Sequence, residues 1–93
     1  MTPRYDEFDL TDSAYRHGFS DEDFAEMLRG QHFVVRSRRG RTIGYEVFGR
    51  NKSGAYLLAA GRLVESLSDT IFRVFHLARM SNAERRRFQR MMR

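Results

Sequence analysis

Two spacings of apolar residues divide the 93-residue chain. Helical spacing dominates from about residue 11 to residue 30, strand-like alternation takes over at residue 33, and helical spacing returns at residue 81. Thr11 stands where an N-cap opens a short helix over residues 12–17, and Gly18 occupies the following position, where a left-handed conformation ends a helix. Ser20 and Asp23 form a capping-box variant, with Phe19 and Phe24 at the staple positions on either side. Phe24, Met27 and Leu28 then make the apolar stripe of a second helix that Gly30 closes. Asp21, Glu22 and Asp23 suit its positive N-terminus. Residues 1–10 have no periodicity and predict a loosely ordered lead-in, docked only through Tyr5, Phe8 or Leu10.

Phe33 to Arg38 reads as a first strand, with Arg39-Gly40 as the turn into a second over Thr42–Phe48. Turns at Asn51-Lys52-Ser53-Gly54 and at 66–69 lead to strands over 55–64 and 70–77. The spacing of Ser81 to Glu84 is a full capping box, and the helix it opens carries Phe88, Met91 and Met92 to the C-terminus. These elements predict one α+β domain over residues 1–93: two N-terminal helices, a four-stranded antiparallel sheet and a C-terminal helix. The helices are expected together at one end and one face of the sheet.

Composition narrows the chemistry. The chain has no Cys, which removes disulfides, thiol nucleophiles and thiolate metal sites. Its three His lie far apart without metal-ligand spacing, and no phosphate loop, dinucleotide fingerprint or nucleophile elbow is present, so no metal and no cofactor is expected. No apolar run approaches a membrane span and the first residues are acidic, so a cytoplasmic protein without a membrane partner is expected. The net charge of +5 hides a split. Residues 1–28 set two basic against eight acidic side chains, a net of −6, whereas residues 29–93 set 15 basic against 4 acidic, a net of +11. Only Lys52 among the 17 cations is not Arg, the side chain whose planar fork matches phosphates. A polyanion or an acidic protein is the partner this favours.

Several side chains are candidates for chemistry, each with a plainer reading beside it. Simple alternation on the last strand puts Arg73, Phe75, Leu77 and Arg79 on one face and Phe72, Val74, His76 and Ala78 on the other, provided no bulge intervenes. Arg73 either binds phosphate or pairs with Glu46 or Glu65, and His76 among apolar neighbours reads as a structural histidine. Arg79 leads into a capped basic helix, so that it and the helix N-terminus flank one anion-binding spot, while Glu84 reads first as the capping residue. His17 either transfers protons, its side-chain type titrating near about 6.5, or complements a helix C-terminus. His32 has no evident partner and is given no role. Arg38, Arg39, Arg41 and Tyr45 near the first hairpin, with Arg86 and Arg90 on the last helix, are the candidate contacts to single-stranded RNA. The competing readings are a core tyrosine and solvated arginines.

Taken in register, Asp9, Ala14, Arg16-His17-Gly18-Phe19, then Phe48-Gly49-Arg50 with Gly54 and Leu57-Leu58, then Arg73 and Ala78-Arg79 with Glu84-Arg85-Arg86-Arg87-Phe88 resemble the BrnT-type toxins of bacterial type II toxin–antitoxin modules. The resemblance runs from about residue 8 to residue 88, with Phe88 where the family has Tyr. It implies a RelE/ParE-like fold and a ribonuclease that works without metal and arrests translation. It also implies neutralisation by a cognate antitoxin, a ribbon-helix-helix or similar DNA-binding protein through which alone the pair meets operator DNA. The catalytic set it implies is His17 as acid or base, Arg50, Arg73 and Arg79 on the phosphate, and Glu84. The alternative from another class is a non-catalytic basic regulator that binds nucleic acid, or a toxin-fold protein without activity.

Overall fold

The alternation from residue 32 onward builds a sheet whose consecutive residues serve two different cores. In the computed structural model, which describes residues 3–39 and 42–92 (Arg39 by its backbone alone), the order is β1 (Glu7–Leu10), a 3₁₀ turn (Asp12–His17), α1 (Asp21–Arg29), β2 (His32–Arg39), β3 (Thr42–Arg50), β4 (Tyr56–Glu65), β5 (Thr70–Arg79) and α2 (Asn82–Met91). The five strands lie in the order β1-β5-β4-β3-β2, with β2 to β5 antiparallel and β1 parallel to β5. Val47, Leu57, Ala59, Phe72, Val74 and Leu77 face α1, where they bury Phe24 and Met27. Their neighbours Phe48 and Leu58 point the other way and bury Phe88 of α2. One helix therefore lies on each face.

Three expectations need correction. The sheet is five-stranded and mixed, because Glu7-Phe8-Asp9-Leu10 is a strand and not a loose lead-in; Phe8 and Leu10 pack on the α1-side core while Asp9 points to the opposite face. Residues 12–17 wind as a 3₁₀ turn. The Thr11 side chain makes no cap bond; its hydroxyl pairs with Ser13, whose own hydroxyl donates to the carbonyl of Phe75, so the turn is tied to β5 and closes at Gly18 with φ of 86°. The helices also lie on opposite faces, since α1 and α2 each need a separate apolar surface and alternation supplies two. No helix among the described residues is long and apolar enough to cross a membrane.

The capping residues act as their types dictate. In α1 the Ser20 hydroxyl accepts the Asp23 backbone N–H while the Asp23 carboxylate accepts the Ser20 N–H at 2.8 Å. In α2 Ser81 and Glu84 make the same reciprocal pair, with Ser81 N–H donating to Glu84 Oε1 at 2.7 Å. Burial works against the charge of Asp23, but hydrogen bonds from Ser20 and Asn51 outweigh it and hold its carboxyl below the usual range.

Candidate functional site

The site is built on an irregularity in β5. Ala60 faces His76 and Gly61 faces Val74, which leaves Phe75 without a partner in a β-bulge. Gly61 permits this, because a Cβ there would lie 2.5 Å from the Phe72 ring and 2.6 Å from the Arg73 carbonyl oxygen. The α1-facing residues of β5 accordingly step from Phe72 and Val74 to Leu77. That shift overturns the face assignment made by simple alternation. Arg73 and His76 now share the face away from α1, whereas Arg79 follows Leu77 to the α1 side, where its guanidinium carbon lies 5.7 Å from the centre of the Phe19 ring.

Where α2 does not cover the sheet, this face opens into a groove of about 750 Å³ lined by Glu46, Arg62, Arg73, Phe75 and His76. Arg62 and Arg73 stand directly opposite each other on β4 and β5. Like charges so placed repel, and a bound anion relieves them. The repulsion is offset in part by Asp9, whose carboxylate accepts both Arg73 Nε (3.0 Å) and Arg73 Nη2 (2.9 Å). The Arg73 hydrogen bonds hold the Asp9 carboxyl below its ordinary range, and Asp9 raises the Arg73 pKa in turn. Arg73 thus pairs with Asp9 and with neither glutamate considered from the sequence.

At the bulge the 3₁₀ turn brings His17 against His76, with ring centroids 5.4 Å apart and planes at 71°. His17 is exposed and His76 half-buried. His76 lines the groove with Arg62 and Arg73, and His17 stands against His76 at the surface. Such a set can take up a proton, release a proton and bind a phosphate.

The other sequence candidates lie elsewhere. Arg50 ends β3 with its guanidinium carbon 4.7 Å from the centre of the Tyr56 ring, in a second groove. Glu84 spends its carboxylate on the α2 cap. Tyr45 is half-buried, its ring 6.3 Å from that of Phe72. Arg38, Arg86 and Arg90 are exposed. Arg41 and the side chain of Arg39 lie outside the described residues. Sequence reasoning missed Arg62 and gave His76 no chemistry. The available signal was Gly61 inside an apolar strand, a position that marks a bulge and so changes which residues of β5 share a face. No group of three or more His, Asp or Glu is placed to hold a metal ion among the described residues. No protein-family model and no curated protein sequence matches the chain.

Proposed function

We propose that this protein cleaves RNA and acts as the toxin of a toxin–antitoxin pair in the cytoplasm, the role implied by its resemblance to BrnT-type toxins. The observation that supports the chemistry is the contact of His17 with His76, which lines one groove with Arg62 and Arg73. One imidazole, neutral, takes the proton of a ribose 2′-hydroxyl as that oxygen attacks the adjacent phosphorus. The P–O5′ bond breaks, and the other imidazole, protonated, gives its proton to the departing 5′-oxygen. The products are a 2′,3′-cyclic phosphate and a 5′-hydroxyl end. Arg73 and Arg62 meet the charge that grows on the phosphoryl oxygens. The partner in this reading is an antitoxin whose acidic segment covers the basic surface and whose DNA-binding part carries the pair to its operator.

The test is incubation of the purified protein with end-labelled RNA, in excess EDTA without ribosomes and in magnesium buffer with them. Cleavage to cyclic-phosphate ends is expected, and His17→Ala or His76→Ala should lower the rate about 10²- to 10⁴-fold while leaving the fold intact. Arg73→Ala should cost about 10²- to 10³-fold and more than Arg79→Ala, which acts on the opposite face. Intact RNA under both conditions, or unchanged cleavage by the two histidine variants, defeats the proposal.

The bidentate hold of Asp9 on Arg73 favours a second reading, in which the surface binds RNA without cutting it. In that case RNA is recovered whole and its affinity falls steeply with salt.

A further inference from the structure

On the far side of α2 lies a second arrangement of cations that the ribonuclease reading does not use. Arg50 and Tyr56 face each other across β3 and β4, and Arg85 of α2 reaches the same ring, its guanidinium carbon 4.1 Å from the centroid. Each of these groups is held in place. The turn after β3 puts Gly54 at φ of 88°, and its carbonyl accepts Arg50 Nε at 3.3 Å. A Cβ on Gly54 would lie 3.1 Å from Arg50 Nη2. Asn51 fixes the turn to α1, donating to Asp23 at 3.0 Å and accepting the Ala55 N–H at 2.9 Å. Tyr56 packs edge-on against Phe88, ring centroids 5.9 Å apart, so its position follows that of α2.

Arg50 and Tyr56 border an open groove of about 650 Å³ that also takes in Lys52, Gln89 and Glu26, and Arg85 lies over the Tyr56 ring. The Glu26 carboxylate is engaged by the backbone N–H of Lys52 at 2.9 Å. Neither Arg50 nor Arg85 has a carboxylate partner among the described residues. The side chain of Gln89 and the two guanidinium groups draw the Tyr56 phenol below the ordinary range, as befits a hydroxyl that faces positive charge. Two forked cations against one phenol donor offer more donors than a single carboxylate can accept, and their charge matches a dianion.

We infer that Arg50, Tyr56 and Arg85 form a binding site for a phosphate dianion, separate from the groove lined by Arg62, Arg73 and His76. The phosphate belongs either to the end of an RNA strand or to a free phosphate ion. The inference stands whether or not the protein cuts RNA.

Calorimetric titration of the whole chain at fixed ionic strength tests it, with inorganic phosphate, with acetate, and with a short oligonucleotide carrying or lacking a 5′-phosphate. Saturable phosphate binding is expected, with acetate at least tenfold weaker. Arg85→Ala should weaken phosphate binding about tenfold or more and Arg50→Ala similarly, since each removes a charge-assisted contact. Arg87→Ala, on the same helix but with its guanidinium over the Phe48 ring, should leave it unchanged. Bound phosphate should also move the alkaline titration of one tyrosine upward, an ultraviolet change absent from Tyr56→Phe, which keeps the ring packed on Phe88. Tighter binding of the 5′-phosphorylated oligonucleotide than of the unphosphorylated one, with the difference lost in Arg85→Ala, identifies a strand end as the ligand, and no difference beside saturable phosphate binding identifies the free ion. Unsaturable binding, equal affinity for acetate, or equal loss in Arg85→Ala and Arg87→Ala overturns the site.

Discussion

Asp9 shows how much one side chain decides here. Its neighbours Phe8 and Leu10 anchor β1 in the core, and the alternation between them turns Asp9 toward Arg73. Because that contact holds its carboxyl below the value it has in the unfolded chain, Asp9 stabilises the fold above the ordinary carboxylate range and loses this effect as pH falls through its lowered folded value. Asp9→Asn should therefore flatten the acid limb of stability against pH, read from denaturant midpoints between about pH 5 and pH 2. The same variant releases the Arg73 fork and should tighten RNA binding several-fold; weaker binding would mean that Asp9 aims Arg73 rather than competing with phosphate. Gly61 is the second decisive position. Gly61→Ala drives a methyl group into the Phe72 ring and the Arg73 carbonyl, and should cost about 1–3 kcal/mol in chemical denaturation as overpacking does. Arg73 and His17 stood out in the sequence because charge and residue type are local properties. The pairing of Arg73 with Asp9 and of His17 with His76 did not, since both depend on how distant segments meet.

Among the elements, those that carry their own end signals were the legible ones. Ser20 with Asp23 and Ser81 with Glu84 announce α1 and α2, and the reciprocal bonds they make are present in both. Ser20→Ala and Ser81→Ala should each lower stability by about 1 kcal/mol, measured as a shift in denaturant midpoint with an unchanged slope. β1 was illegible for a physical reason. Four residues alternate too briefly to stand out from an acidic stretch, and nothing in them specifies a parallel neighbour some 64 residues away. The 3₁₀ turn was misread because Gly18 gives the same closing signal to either kind of helix; what selects the tighter winding is the Ser13 bond to β5. Strand alternation indicated sheet but not which face each residue takes, because the bulge at Phe75 inverts the order halfway along β5.

For the whole molecule, the division of charge along the sequence becomes a division in space. The acidic segment supplies β1, the 3₁₀ turn and α1, and the basic remainder supplies four strands and α2, with α1 and α2 on opposite faces. An approaching polyanion therefore meets a polarised surface and is drawn to the α2 side. RNA affinity should fall linearly on a log–log plot against salt concentration, and removing Arg86 or Arg90 should reduce the slope by about one for each that touches a phosphate. A slope unchanged by both substitutions would place the RNA path off α2.

The parallel pairing of β1 with β5 also has a meaning in time. β1 leaves the ribosome before β5 and cannot pair until residues 70–79 have been made, so this pairing follows those of β2 with β3 and β3 with β4 during synthesis. Arg73 and His76 arrive with that same strand. A nascent chain thus carries its acidic carboxylates before its basic groove, and the groove takes shape only once β5 has joined β4.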